Sequence, residues 1–231
     1  MHAHNELAAL GRISMFSLNK TADGTLHDLT QTSQIWCLLQ LLAGKLYEIW
    51  ERVGPTISKV SELDFAKEQQ ASVAWLIEYF GVNPRKKTAL KLLRDKTAFH
   101  YAGLDFGQAQ KNLAEDEKAV YLAQDSHNTF YAVGSALVFR TIFSMAASTS
   151  LNDEVSLFDS RVQLGAQKIL NEIREVNHHT MNLLYGIIKG KLDKALGGKL
   201  TEPADEEIMV EDAPSRDGVG LPAFIKAERT K

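Results

Sequence analysis

The sequence predicts an all-α protein, an up-and-down helical bundle closed by a long C-terminal helix. Three observations carry this. Apolar residues recur at spacings of three and four through most of the chain, which lines them up on single helix faces. No stretch alternates apolar and polar positions with β-branched residues, so few or no strands are expected. Near the C-terminus the apolar pattern becomes heptad-like and runs for about forty residues.

Composition bounds the rest. The chain has 231 residues, 45% hydrophobic and 24% charged, which are ordinary globular values. They exclude a wholly disordered chain, a collagen and a disulfide scaffold. The net charge of −3 gives no global attraction to nucleic acid or membrane, so any such contact needs a local patch. The single cysteine, Cys37, cannot form an internal disulfide and reads as a small buried hydrophobe. A reducing cytoplasm fits this usage, and the N-terminus shows no signal-peptide pattern. Three parts are expected: an N-terminal segment over 1–24, one helical domain over 25–198, and an acidic flexible tail over 199–231.

The first helix of that domain is expected from Thr25 to Val53. Ile35, Leu39, Leu42, Leu46, Ile49 and Val53 share one face, and Gly54-Pro55 marks the stop. Trp36, Leu38, Leu41 and Trp50 add apolar surface on other sides, which makes this helix central. A second helix is expected from Ser61 to Phe80, ending at Gly81. A third should start at Asn83-Pro84, a good N-cap followed by a residue favoured in the first turn, and continue to Phe99. Gly103–Asp116 reads as a loop with a helical turn, followed by a short helix over Glu117–Ala123.

Asp125-Ser126-His127-Asn128 supplies caps for an apolar helix reaching Ser148. This stretch approaches the length of a membrane span, but Arg140 lies inside it, and a central Arg costs about 2.5–3.5 kcal/mol on insertion scales. It is therefore expected to be a buried core helix, and the protein not to be a membrane protein. Arg140 then needs an acidic partner. The last helix is expected over Glu154–Leu196, with Val162, Ala166, Ile169, Ile173, Val176, Thr180, Leu183 and Ile187 as its seam. At 1.5 Å per residue it would span about 60 Å. That exceeds a small bundle, so it should kink, break near Gly186–Gly190, or pack on a second subunit. From Thr201 the chain turns acidic, with Glu202, Asp205, Glu206, Glu207, Glu211 and Asp212.

Chemistry concentrates in one place. Arg85, Lys86, Lys87, Lys91, Arg94 and Lys96 set six cations against one carboxylate, Asp95, within a chain that is acidic overall. A basic patch of this kind can meet phosphate, although a solvated helix face has the same composition. Arg94 binds phosphate bidentately and stabilises developing charge, and His100 can move a proton near neutral pH. The two are six residues apart and do not share a helix face. They converge if the helix ends near Phe99, or across a two-fold axis. Glu48, on the preceding helix, is a candidate partner for Arg94. No other motif competes. His178-His179 lack the i, i+4 spacing of a metal pair, and the phosphate-loop, zinc-protease and nucleophile-elbow patterns are absent.

Arg94-Asp95, four further residues and His100 resemble the signature of the HEPN superfamily (higher eukaryotes and prokaryotes nucleotide-binding). That signature is an Arg, a polar residue, then a His after four to six intervening residues. The order of helices around it, from about Leu26 to Ser148, is also similar. The resemblance implies an all-α homodimer with the motif at its interface. Active members are metal-independent endoribonucleases of toxin–antitoxin and abortive-infection defence systems. Others are non-catalytic RNA- or nucleotide-binding modules. Carried over, Arg94 stabilises the scissile phosphate, His100 serves as acid, base or phosphate contact, and Asp95 orients the pair. The basic residues around them would contact RNA. No cofactor or metal is implied. Possible partners are an RNA substrate, an antitoxin, or a separately encoded nucleotidyltransferase. Some bacterial members carry a Tyr two positions after the His as a modification site. Here Tyr101 follows at once, a departure from that pattern.

Overall fold

The computed structural model describes residues 1–17, 25–57, 67–81, 88–98, 103–118, 120–121, 130–148 and 157–197. In chain order the helices are α1 (His2–Ser17), α2 (Thr25–Ile57), α3 (Lys67–Phe80), α4 (Ala89–Leu93), α5 (Gly107–Lys111), α6 (Ala132–Ser148) and α7 (Phe158–Ala195). A π-helical turn, Arg94–Ala98, continues α4, and a 3₁₀ turn covers Asp116–Lys118. Two-residue strands, β1 (Val120–Tyr121) and β2 (Phe130–Tyr131), pair antiparallel. The fold is thus an all-α bundle with one minimal β bridge.

α2 is central because it is apolar on more than one side. Leu39, Leu42, Leu46 and Ile49 are buried along the expected face, and Trp36, Ala43, Tyr47 and Trp50 are buried beside them. α7 supplies the facing wall. Of the expected seam, Ile169, Ile173, Val176, Thr180 and Leu183 are buried at alternating steps of four and three, Val162, Ala166 and Ile187 are partly buried, and Gly165, outside that seam, is buried as well. Leu76 and Phe80 of α3, Leu90 and Leu93 of α4, and Ile142 and Ala146 of α6 complete one core cluster. Burying a side chain of this size contributes about 1.5–3 kcal/mol, which is how short pieces such as α4 are held.

Two close approaches set the geometry. A Cβ on Gly165 would fall 1.8 Å from the Phe143 carbonyl oxygen, so α6 and α7 touch backbone to backbone there. At Gly54 the same test meets the Trp50 ring at 2.7 Å. The indole therefore folds back along its own helix, stacks on Phe80 at 5.5 Å, and donates Nε1–H to the Gly81 carbonyl at 3.2 Å. That bond ties the end of α3 to α2.

Several expectations are corrected. α2 passes through Gly54-Pro55 and ends at Ile57, because a proline in the last turn disturbs little of the helical ladder. The chain before residue 25 contains α1, whose Leu7 is fully buried, and His2 lies 3.5 Å from Glu6 one turn on. Thr88, not Asn83, caps α4, accepting the Lys91 N–H at 3.2 Å. The helix expected over Glu117–Ala123 is a 3₁₀ turn and a strand. Cys37 is exposed, not buried. Asn83-Pro84 and the caps Asp125–Asn128 lie outside the described residues, as does the acidic tail. No described helix is long and apolar enough to cross a membrane.

Candidate nucleic-acid site

The site begins with how α4 is anchored. Five residues do not form a stable helix alone. Here the first turn is capped twice: by Thr88, and by Glu172 of α7, whose carboxylate accepts the Ala89 N–H at 2.9 Å. The Tyr79 hydroxyl of α3 donates to the same carboxylate oxygen. Burial, with the Glu172 charge adding to it, pushes the Tyr79 phenol well above its ordinary value, so it remains a neutral donor. α3, α4 and α7 thus meet at one carboxylate.

At Arg94 the hydrogen-bond ladder widens from α to π. Single π turns of this kind are rare and occur often at functional sites. Buried Thr97 donates its hydroxyl to the Leu93 carbonyl at 2.8 Å, sealing the junction. The turn brings Lys91, Arg94 and Asp95 over α2. The Arg94 guanidinium lies on the face of the buried Tyr47 ring, 4.8 Å from its centroid, and Lys91 Nζ lies 5.6 Å from the same ring. Two cations beside one ring repel each other, and carboxylates offset that repulsion. Asp95 takes Lys91 Nζ at 2.8 Å and Arg94 Nη1 at 3.1 Å, and Glu51 takes Arg94 Nη2 at 3.4 Å.

Partial burial pushes the Asp95 carboxyl up, but Lys91 and Arg94 outweigh it and hold the group below the usual carboxylate range. The hydrogen bond to Asp95 raises the Lys91 ammonium, so Lys91 and Asp95 are both ionised at neutral pH. The Arg94 side chain is 30% exposed, and its Nε–H is buried without a hydrogen-bond partner among the described residues. The arrangement presents a fixed guanidinium edge, held by two carboxylates that a phosphate can replace.

Among the residues singled out in the sequence, the structure brings together Arg94, Asp95 and Lys91. Lys96 points from the π turn to Gly103, with Nζ 3.1 Å from where a Cβ on that glycine would sit. The α2 acid that reaches Arg94 is Glu51, not Glu48. Residues four apart share a helix face, so Glu51 stands beside Tyr47 while Glu48 is turned about 100° away. The sequence reading missed Tyr47 and Glu51, and their i, i+4 spacing was the available signal. His100, Tyr101, Arg85, Lys86 and Lys87 lie outside the described residues.

A second polar cluster is structural. Arg140 meets Glu117 bidentately, Nε to Oε1 at 2.9 Å and Nη2 to Oε2 at 2.8 Å, and Nη1 meets Asp159 at 2.6 Å. This is the acidic partner that a charge in an apolar helix requires, and it pins the 3₁₀ turn and the start of α7 to α6. The cluster flanks a half-open cleft of about 170 Å³ floored by Trp36, Phe139 and Phe143. No group of three or more metal-ligating side chains occurs among the described residues. Comparison of the chain with protein-family models, curated proteins and solved structures gives no match.

Proposed function

We propose that the protein is a HEPN-like, metal-independent endoribonuclease of the toxin–antitoxin or abortive-infection type, acting as a homodimer in the cytoplasm. The observation that carries this reading is the placement of Arg94. It opens a π turn at the end of the basic segment, stacked on Tyr47 and oriented by Asp95 and Glu51. In the proposed reaction a ribose 2′-oxygen attacks the adjacent phosphorus and the bond to the 5′-oxygen breaks. His100 takes the 2′-hydroxyl proton or delivers one to the leaving oxygen. Arg94 neutralises the charge that builds on the phosphoryl oxygens. Lys91, Lys96 and the Arg85-Lys86-Lys87 run hold the neighbouring backbone.

The same site favours a second reading. Two carboxylates already occupy Arg94, which suits a non-catalytic helical RNA- or nucleotide-binding or protein-interaction module, or an enzyme silent until an antitoxin or another partner releases it. Cleavage of a labelled RNA in EDTA separates the two. An active enzyme cuts without metal, and Arg94→Ala lowers the rate about 10²–10³-fold, the usual effect of losing one transition-state donor, while His100→Ala abolishes it. A folded protein that binds RNA and cuts none supports the second reading.

A further inference from the structure

The last two turns of α7 run past the core. Leu184 is the last buried residue of the helix, and Ala195 lies about 17 Å further along its axis. Every residue from Lys189 to Gly197 is exposed. This end is not a polar overhang. Tyr185 (52% exposed), half-buried Ile188, Leu192 (37%) and Leu196 (54%) recur at steps of three and four, which makes an apolar stripe. Tyr185 sits about 200° round the helix from Leu183, so the stripe faces away from the core seam. Lys189 and Lys191 flank it, Lys194 lies on the opposite side of the helix, and Asp193 is the one acid between Tyr185 and Leu196. None of the three lysines pairs with a carboxylate among the described residues. A bare helix end of this length is marginal in water, and an apolar stripe on it calls for a cover.

We infer that this stripe is the docking surface for the chain's own C-terminal segment. The helix stops at Gly197, which takes the left-handed conformation (φ 66°) that redirects a chain at a helix end. The residues that follow carry Glu202, Asp205, Glu206, Glu207, Glu211 and Asp212, the complement of the lysine-flanked end, and then the apolar run Leu221-Pro222-Ala223-Phe224-Ile225. A segment tethered at the helix end has an effective concentration in the millimolar range, which a free partner rarely matches. A second copy is a poorer cover, because two such ends bring like charges together. The inference is independent of the RNA reading.

Amide hydrogen exchange of residues 188–196 in the full chain tests it. The expected result is exchange at least about 10-fold slower in the wild type than in the double variant Phe224→Ser with Ile225→Ser. Protection should survive dilution and weaken in 1 M salt. Leu192→Glu, which alters the surface and leaves the tail intact, should also lose it. Equal exchange in wild type and the tail variant overturns the inference. So does protection that disappears on dilution, which would mean that a second copy covers the stripe.

Discussion

Arg94 gathers more of the protein's chemistry than any other described residue: a buried ring beneath it, two carboxylates on its edge, and a change of helix type at its own backbone. The sequence made Arg94, Asp95 and Lys91 legible as a cluster because a basic run with a single acid is a one-dimensional pattern. The i, i+4 spacing of Tyr47 and Glu51 was legible, but choosing between Glu48 and Glu51 requires the rotation of α2 against α4. Cys37 misled for a related reason. An apolar run on a helix with several buried faces still leaves some positions facing solvent. A separate residue gives a pH prediction. His179 stacks on Trp75 at 4.4 Å, and its Nδ1 lies 3.1 Å from the Ser72 hydroxyl. Burial and the neighbouring His178 lower its pKa, against the opposing charge of Glu175. A histidine with a depressed folded-state value contributes stability above its unfolded pKa of about 6.5, and loses it as pH falls through the folded value. Urea denaturation at pH 7.5 and 5.5 should show a smaller pH-dependent loss for His179→Gln than for wild type. An identical loss in both would remove His179 as a source.

At the scale of elements, periodicity was a good guide where a helix has one buried face and a poor one at helix ends. The α7 seam follows from residues spaced by three and four, whereas α4 starts after Thr88 with its first turn held also by Glu172 of another helix, which no local pattern shows. α1 was missed although Ala3, Leu7 and Leu10 have helical spacing, since polar His2, His4 and Asn5 interrupt the pattern. The π turn had no signal in the sequence, because widening a ladder by one residue leaves composition unchanged. The α6–α7 contact gives the prediction. Gly165→Ala places a methyl carbon against the Phe143 backbone, which cannot rotate away, and should cost about 1–3 kcal/mol, as overpacking does. Gly11→Ala, in α1 with nothing within 4 Å, should instead stabilise by about 0.5–1 kcal/mol. Thermal or urea midpoints that move together in the two variants would contradict the packing described.

At the scale of the molecule, a bundle ordered by α2 and α7 places, among the described residues, the Lys91–Arg94–Asp95 cluster at the end of α4 and an apolar, lysine-flanked projection at the end of α7. The all-α class followed from patterning alone, while the place of these two features depended on helix packing that no local pattern encodes. The central claim is that Arg94 meets an RNA phosphate, whether or not cleavage follows. Fluorescence anisotropy of a single-stranded RNA against salt, for wild type, Arg94→Ala and Glu51→Gln, tests it most directly. Losing one phosphate contact should weaken Arg94→Ala and reduce its log–log salt slope by about 0.7. Glu51→Gln, which frees the guanidinium from one carboxylate, should bind more tightly than wild type. Folded Arg94→Ala protein with unchanged affinity and salt slope would contradict the claim and leave Arg94 as a structural ion pair.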